Sequence, residues 1–155
     1  MLSTGLIKNY PLKFVRLDPT NAVKSFDCGD SKVYAYCSLA NDKVAITDFK
    51  DKAEFNRFRK KRGFPNEKRL KSYPAVKLCR LGVASDAKRQ QIGTTMLDYI
   101  KSMFVIENKT GCRFLTVDAY LDAVPFYEKN GFRFMIQDDD DPHTRLMYFD
   151  LLDIV

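Results

Sequence analysis

The stretch Arg80-Leu-Gly-Val-Ala-Ser-Asp-Ala-Lys-Arg-Gln-Gln-Ile-Gly-Thr-Thr95 runs from the end of an apolar strand pattern, through a basic turn, into an amphipathic segment. The strand pattern stops at Val83, and the turn carries Lys88, Arg89, Gln90 and Gln91. A helix is expected to start at Gly93 or Thr94. Its first amides have no acceptor within the helix. They open on the positive end of the helix dipole, where an anion is favoured. Gly93 has no Cβ and would let the backbone approach a ligand. Neither GxxxxGK[ST] nor GxGxxG is present, so the P-loop and the dinucleotide fingerprint do not apply. On residues alone, the stretch is either a phosphate cradle or an ordinary strand–turn–helix corner.

With 155 residues, 45% of them hydrophobic and 30% charged, the chain has the size and balance of one soluble domain with one core. No apolar run is long enough for a bilayer span, so no membrane role is expected. The start, Met1 to Lys8, lacks the apolar stretch of a signal peptide. The four cysteines, Cys28, Cys37, Cys79 and Cys112, are scattered without a CxxC, and one histidine is too few for the usual Cys/His zinc spacings. Buried free thiols in a reducing cytoplasm, without a metal site, are the expectation. A net charge of +6 suits a polyanionic partner, coenzyme or nucleic acid, without requiring one.

The hydrophobic pattern places strands at Lys13 to Leu17, Val33 to Leu39, Lys43 to Thr47, Ala75 to Ala84, Arg113 to Val117, Phe132 to Ile136 and Thr144 to Leu152. Asn41-Asp42 reads as a turn between the second and the third. Helices are expected over Asn21 to Phe26, Lys52 to Arg62, Thr95 to Asn108 and Leu121 to Lys129. In the second, Ala53, Phe55 and Phe58 would face inward; in the third, Met96, Leu97, Ile100, Met103 and Phe104 form one stripe. Asp138-Asp-Asp-Asp-Pro142 lacks EF-hand spacing and reads as a solvated turn. This order fits an α/β (α+β) class: a mixed, mostly antiparallel, twisted sheet with helices on both faces, in a single domain over residues 1–155. Within Ala75 to Ala84 the alternation slips, with Val76 and Leu78 on even positions and Leu81 and Val83 on odd ones. The slip marks either a β-bulge between Leu78 and Leu81 or a strand buried on both faces.

Gln90-Gln91-Ile92-Gly93-Thr94-Thr95 resembles the Q/R-x-x-G-x-G/A signature with which the GNAT acetyltransferase superfamily holds the pyrophosphate of acetyl-CoA, with Thr95 in place of the final Gly or Ala. About thirty residues downstream, Ala123-Val-Pro-Phe-Tyr127-Glu-Lys-Asn-Gly131-Phe132 is similar to the family's A-x-x-[FL]-Y-x-x-x-G-F, with Tyr120 where an Asn is frequent. The two signatures stand in the family's order, and the resemblance covers Ala75 to Phe149. Ser25-Phe26-Asp27-Cys28-Gly29-Asp30 resembles the F-x-C-G phrase of a branch that includes toxins of toxin–antitoxin pairs, which acetylate aminoacyl-tRNA. That branch continues with helices. Here Ser31-Lys32 leads straight into a strand, so the domain is expected to be shortened after Asp30, or to lack a segment between Asp30 and Ser31.

The resemblance implies acetyl-CoA as cosubstrate. It puts pantetheine along Leu81, Gly82 and Val83, and pyrophosphate on Arg89, Gln90, Gln91, Ile92, Gly93, Thr94 and Thr95. Tyr127 is the implied general acid, since a phenol of reference pKa about 10 stays protonated to serve a thiolate of about 8.5. Asp118 is a candidate base, with water as the alternative. The implied function is a cytoplasmic N-acetyltransferase acting on a primary amine acceptor. The alternative is a toxin acetylating aminoacyl-tRNA; a reading from another class is a CoA- or nucleic-acid-binding module without catalysis. Arg57, Arg59, Lys60, Lys61, Arg62, Lys68, Arg69 and Lys71 gather on one helix and the loop after it. They read as a solvated face or as a groove for tRNA phosphates. The acceptor, an antitoxin partner and a homodimer stay open.

Overall fold

The computed structural model describes residues 12–13, 22–27, 33–65, 70–106, 110–137 and 139–154. Among them are strands β1 (Leu12–Lys13), β2 (Ala22–Asp27), β3 (Val33–Ala45), β4 (Ser72–Val83), β5 (Phe114–Tyr120), β6 (Arg133–Phe134) and β7 (Thr144–Asp150). The helices are α1 (Lys52–Lys61), α2 (Ile92–Ile106) and α3 (Val124–Lys129). The described strands form one sheet in the order β1-β2-β3-β4-β5-β7-β6. Neighbours run antiparallel except β4 and β5, which run parallel. A parallel pair needs a crossover, and α2 supplies it.

Helix α1 begins where Asp51, in an extended conformation, accepts the amide of Glu54 at 2.7 Å, an N-cap of the usual chemistry. Gly63, at φ +68, follows its end in the left-handed conformation that closes helices. Phe55 and Phe58 are buried on one face of the sheet, where Phe58 meets Phe114 and Tyr148 at ring-centroid distances of 5.6 and 5.2 Å. Ala53 is exposed, contrary to expectation. It lies two residues from Phe55, about 200° around a helix of 3.6 residues per turn. On the other face, Met96, Leu97 and Ile100 of α2 pack in one cluster with Leu115, Val117 and Met147. Met103 and Phe104 complete the stripe at its partly buried margin. Helices therefore cover both faces, as the sequence pattern implies.

Three local expectations differ. Residues 22–27 form a strand and not a helix, because β3 pairs with them from Ala22↔Leu39 to Phe26↔Ala35; sheet pairing overrides a weak local preference. Asn41-Asp42 does not turn. β4 offers partners along the whole length, Asn41↔Val76 and Asp42↔Ala75 included, so β3 runs unbroken. The Asp42 carboxylate also accepts a hydrogen bond from the Thr116 hydroxyl. Phe132 to Ile136 contracts to the short edge strand β6. Cys37 and Cys112 are buried, whereas Cys79 is exposed. Cys28, the F-x-C-G phrase from Cys28 onward and the Asp30–Ser31 junction lie outside the described residues, as do Lys68 and Arg69.

The acidic turn satisfies its own backbone: the Asp141 carboxylate accepts the amides of His143 and Thr144, each at 2.8 Å. Among the described residues, no group of His, Cys, Asp and Glu is arranged to hold a metal ion, and no helix is long and apolar enough to cross a membrane.

The end of β7 is fixed by charge. Asp150 is 1% exposed and accepts two bonds from the Arg113 guanidinium, at 3.0 and 2.8 Å. Arg62, at the end of α1, reaches Asp150 at 3.5 Å and Asp153 at 3.4 Å. Burial pushes the Asp150 carboxyl up, but the Arg113 pair outweighs it and holds the group below its ordinary value of 3.8. Asp150→Asn is expected to cost about 3–5 kcal/mol in urea unfolding at neutral pH, because the Arg113 guanidinium loses its counter-charge and Arg62 keeps only Asp153. A carboxyl depressed in the folded state stabilises fully above its unfolded value and loses that contribution as pH falls through the folded one. The gap between wild type and variant should therefore narrow below pH 3.8. Equal unfolding midpoints at pH 7 would refute the assignment.

Candidate functional site

The sheet divides between β4 and β5. Parallel pairing covers Ala75↔Phe114, Val76↔Leu115 and Lys77↔Thr116, and stops there. Each strand continues past that point on its outer neighbour, β4 on β3 to Val83 and β5 on β7 to Tyr120. The cause lies in β4. Ser38 pairs with Arg80 and Leu39 with Leu78, so Cys79 is an extra residue without a counterpart on β3. This is the β-bulge read from the slipped alternation. A bulge bends its strand and sharpens the local twist. Leu78 before it and Leu81 and Val83 after it all join the core under α2, while Cys79 and Arg80 are exposed.

The gap is a cleft of about 430 Å³. One wall is β4 from Leu78 to Leu81, the other is β5 from Val117 to Tyr120, and Tyr36, Ala123 and Tyr127 complete it. The ring of Tyr36 lies over Gly82, its partner across β3–β4, so closely that a Cβ at position 82 would push the ring aside.

The turn after β4 has unusual backbone. Arg89 (φ 66) and Gln91 (φ 59) are both left-handed although neither is glycine. Such residues cost about 1–3 kcal/mol each and gather at ligand-binding turns. Left-handed residues within a turn bring backbone N–H groups into a concavity suited to anions. The side chains of Lys88, Arg89, Gln90 and Gln91 are exposed. Helix α2 starts at Ile92, one residue ahead of expectation. Thr95 donates its amide to the Gln91 carbonyl at 2.9 Å and its hydroxyl to the same oxygen at 3.0 Å. The amides of Ile92, Gly93 and Thr94 precede that first helical bond. Ile92 is buried in the core, so among the residues read as a cradle its side chain faces the protein. Gly93 serves a different contact from the one expected: a Cβ there would stand 3.2 Å from the Phe126 ring and 3.7 Å from Val83. The glycine lets the start of α2 close onto Phe126 of α3 and onto Val83 at the end of β4.

Tyr127 is 7% exposed and lines the cleft. Its ring meets Phe126 and Phe132 edge-on at 5.2 and 5.3 Å. Burial pushes its phenol up to about 12, so the hydroxyl is a proton donor at any physiological pH. Asp118 lines the same cleft and pairs with Lys77 at 2.5 Å. Sequence reasoning passes over Tyr36, Cys79 and Arg80 as wall residues. Gly82 inside a strand is the available signal, since such a glycine marks close approach of another group.

A family profile described as an acetyltransferase (GNAT) domain matches residues 66–146. No curated protein sequence matches the chain. Several solved structures share the fold. AtaT complexed with acetyl-methionyl-tRNAfMet is 18% identical over 87% of this chain and 74% of that one, with a TM-score of 0.67. A tyrosine-to-phenylalanine mutant of KacT is 16% identical over 87% and 74%, with a TM-score of 0.68. A mutant AtaT toxin bound to the C-terminus of the antitoxin AtaR and acetyl-CoA is 18% identical over 86% and 69%, with a TM-score of 0.60. Identities this low carry the fold alone, but the profile spans more than half of the 155 residues, both signatures and the strand between them. The chain belongs to the GNAT acetyltransferases.

Proposed function

We propose that the protein transfers the acetyl group of acetyl-CoA to a primary amine in the gap between β4 and β5. The observation that carries this reading is the strand edge of β4 left without a β5 partner past Lys77, with an anion-suited turn at its far end and a phenol in its wall. Pantetheine has two amides and can run along Leu81, Gly82 and Val83 as a substitute strand. Its pyrophosphate would meet the turn of Arg89, Gln90 and Gln91 and the amides of Ile92, Gly93 and Thr94, with Thr95 locking the turn through its double bond to Gln91. Acceptor and thioester held side by side gain most of their rate from proximity, and amides at the bulge can polarise the acetyl carbonyl. Tyr127 supports the departing thiolate from the wall.

Acetyl-CoA at about 100 times its Kd should stabilise the protein by about 2.7 kcal/mol. Lys88→Glu with Arg89→Glu should remove most of that shift while leaving the ligand-free melting temperature nearly unchanged, since both side chains are exposed. A parent protein whose melting temperature ignores saturating acetyl-CoA sinks the reading. Tyr127→Phe should keep the shift and lower kcat by about 10²–10⁴-fold, the usual range for a general acid. Wild-type turnover would take Tyr127 out of the mechanism, and shift without any thiol release would favour a binding module.

Aminoacyl-tRNA is the second reading of the acceptor, and an antitoxin would be its protein partner. The likeness to AtaT bound to acetyl-methionyl-tRNAfMet and a basic face on α1 support it. That face is smaller than the sequence suggests. Arg59 donates to the Tyr73 hydroxyl at 2.7 Å, and Arg62 is tied to Asp150 and Asp153, so both are structural. Arg57, Lys60 and Lys61 are exposed, as is Lys71. Replacing Arg57, Lys60 and Lys61 by Ala should leave folding stability within about 0.5 kcal/mol. It should weaken tRNA binding and reduce the slope of log affinity against log salt by about one for each phosphate no longer neutralised. Absence of tRNA binding at low salt would leave a small or peptide amine as the acceptor.

A further inference from the structure

A second hollow, of about 430 Å³, lies at the β6 edge of the sheet and shares no lining residue with the cleft between β4 and β5. Its size falls within the range of small-molecule pockets, about 300–1,000 Å³. Four elements meet there: the end of α1 with Lys61, α3 with Glu128, β6 and the turn after it with Arg133, Phe134 and Gln137, and β7 with Tyr148. Arg133 and Tyr148 are direct partners across β6 and β7. Tyr148 is 3% exposed, its ring packed on Phe58 and Phe114. Arg62 and Arg133 both stand within reach of its hydroxyl oxygen. A guanidinium only donates, so neither can accept the phenol's own proton. Burial pushes the phenol up and outweighs the pull of both cations, so the proton stays on at neutral pH. Among the described residues no acceptor takes it. Arg133 is fixed from behind, where Asp153 accepts its Nη1 at 2.5 Å; the rest of its donor fork remains. Lys61 and Glu128 are exposed and have no partner among the described residues.

We propose that this hollow is a second binding site, for a small zwitterion of the α-amino acid class. Its carboxylate would take the donors of Lys61, Arg133 and the Tyr148 hydroxyl, and its ammonium would meet Glu128. Charge balance selects this class over a bare anion. Asp153 already neutralises Arg133, and Glu128 offsets Lys61, so the site has donors in excess but little net charge. A phosphate dianion would gain the donors and meet repulsion from Glu128. A ligand with both signs satisfies every charged group of the lining, and complementary potentials are what give a site its specificity. The buried hydroxyl adds direction: a neutral O–H to a carboxylate is a charge-assisted bond, stronger than one between neutral groups. Phe134 and Gln137 are left to meet the ligand's side chain, one apolar and one an amide that both donates and accepts. The site is separate from acetyl transfer and stands whether or not that reaction occurs.

The experiment is a two-dimensional ¹H–¹⁵N NMR titration of the full chain with L-leucine, acetate, methylammonium and inorganic phosphate as probes. L-leucine should give saturable shifts at the amides of Glu128, Arg133 and Phe134. Acetate and methylammonium, each carrying half of the zwitterion, should bind at least about tenfold more weakly, and so should phosphate. Tyr148→Phe removes only the hydroxyl and should weaken L-leucine by about tenfold, the usual loss for a hydrogen bond to a charged group. Glu128→Gln should weaken L-leucine by about fivefold, the upper range for an exposed ion pair, and should leave acetate as it was or tighten it. Lys61→Met should weaken L-leucine and acetate alike. Lys61 and Glu128 are exposed, so their variants decide the matter even if Tyr148→Phe does not fold. No saturable shift with L-leucine overturns the site, as do shifts confined to the cleft between β4 and β5. Phosphate or acetate binding as tightly as L-leucine makes it an anion site only and overturns the zwitterion. An unchanged L-leucine affinity in Glu128→Gln or Lys61→Met overturns it too.

Discussion

β4 carries one residue more than β3 can pair, and the functional architecture follows from that surplus. Cys79 bends the strand, and beyond Lys77 the backbone of β4 turns its polar groups to a gap instead of to β5. Buried amides and carbonyls need partners, so a dry gap in mid-sheet would be costly. An extended ligand with amides of its own could pair the edge that β4 leaves open beyond Lys77. A sheet that divides in this way selects an extended, strand-like ligand before any side chain takes part.

The gap holds its width because its walls are anchored from outside. β5 is paired along its whole length to β7, and β7 ends on the Arg113–Asp150 pair, which also ties down α1 through Arg62. The Tyr127 wall rests on α3, which has only six residues and could not be stable alone. Its C-terminus is fastened from two directions. The Asn130 side chain donates to the Phe126 carbonyl at 2.8 Å, and Lys101 of α2 donates to the Asn130 carbonyl at 2.7 Å. Lys101 is 7% exposed and stands 4.3 Å over the Phe149 ring. Burial lowers its pKa, yet a lysine at a helix C-terminus complements the dipole there. Gly131, at φ +84, then turns the chain where a Cβ would press on Phe149 at 3.0 Å. The G-F ending of the tyrosine motif is thus the packing device that sets the phenol in place.

How much of this the sequence shows depends on the range of the interactions. The bulge is legible because it leaves a local mark, the slip from Val76 and Leu78 to Leu81 and Val83. The amphipathic stripe of α2 and the cap at Asp51 are local too. What fails is decided by partners far along the chain. Residues 22–27 and the Asn41-Asp42 pair take strand conformation because β3 and β4 run beside them, and nothing within either segment says so. Gly93 shows a subtler failure. Its missing Cβ is legible, but its contact is Phe126, thirty-three residues away, and not a ligand. The basic run from Arg57 to Arg62 hides a division as well, since charge alone does not tell the exposed Lys60 from Arg62, whose side chain is 9% exposed and ion-paired. The left-handed Arg89 and Gln91 have no sequence signature at all.

The Tyr127 phenol faces two opposed demands. At about 12, Tyr127 resists ionisation by roughly 3 kcal/mol more than a free phenol, so full proton transfer to a thiolate of reference pKa about 8.5 would be unfavourable in water. The same burial acts on the thiolate. A sulfur anion formed in the narrow end of the cleft is desolvated as well, its own pKa rises, and the mismatch shrinks only once the cleft is filled. Before that point Tyr127 is a tightly held proton that does not leak to solvent.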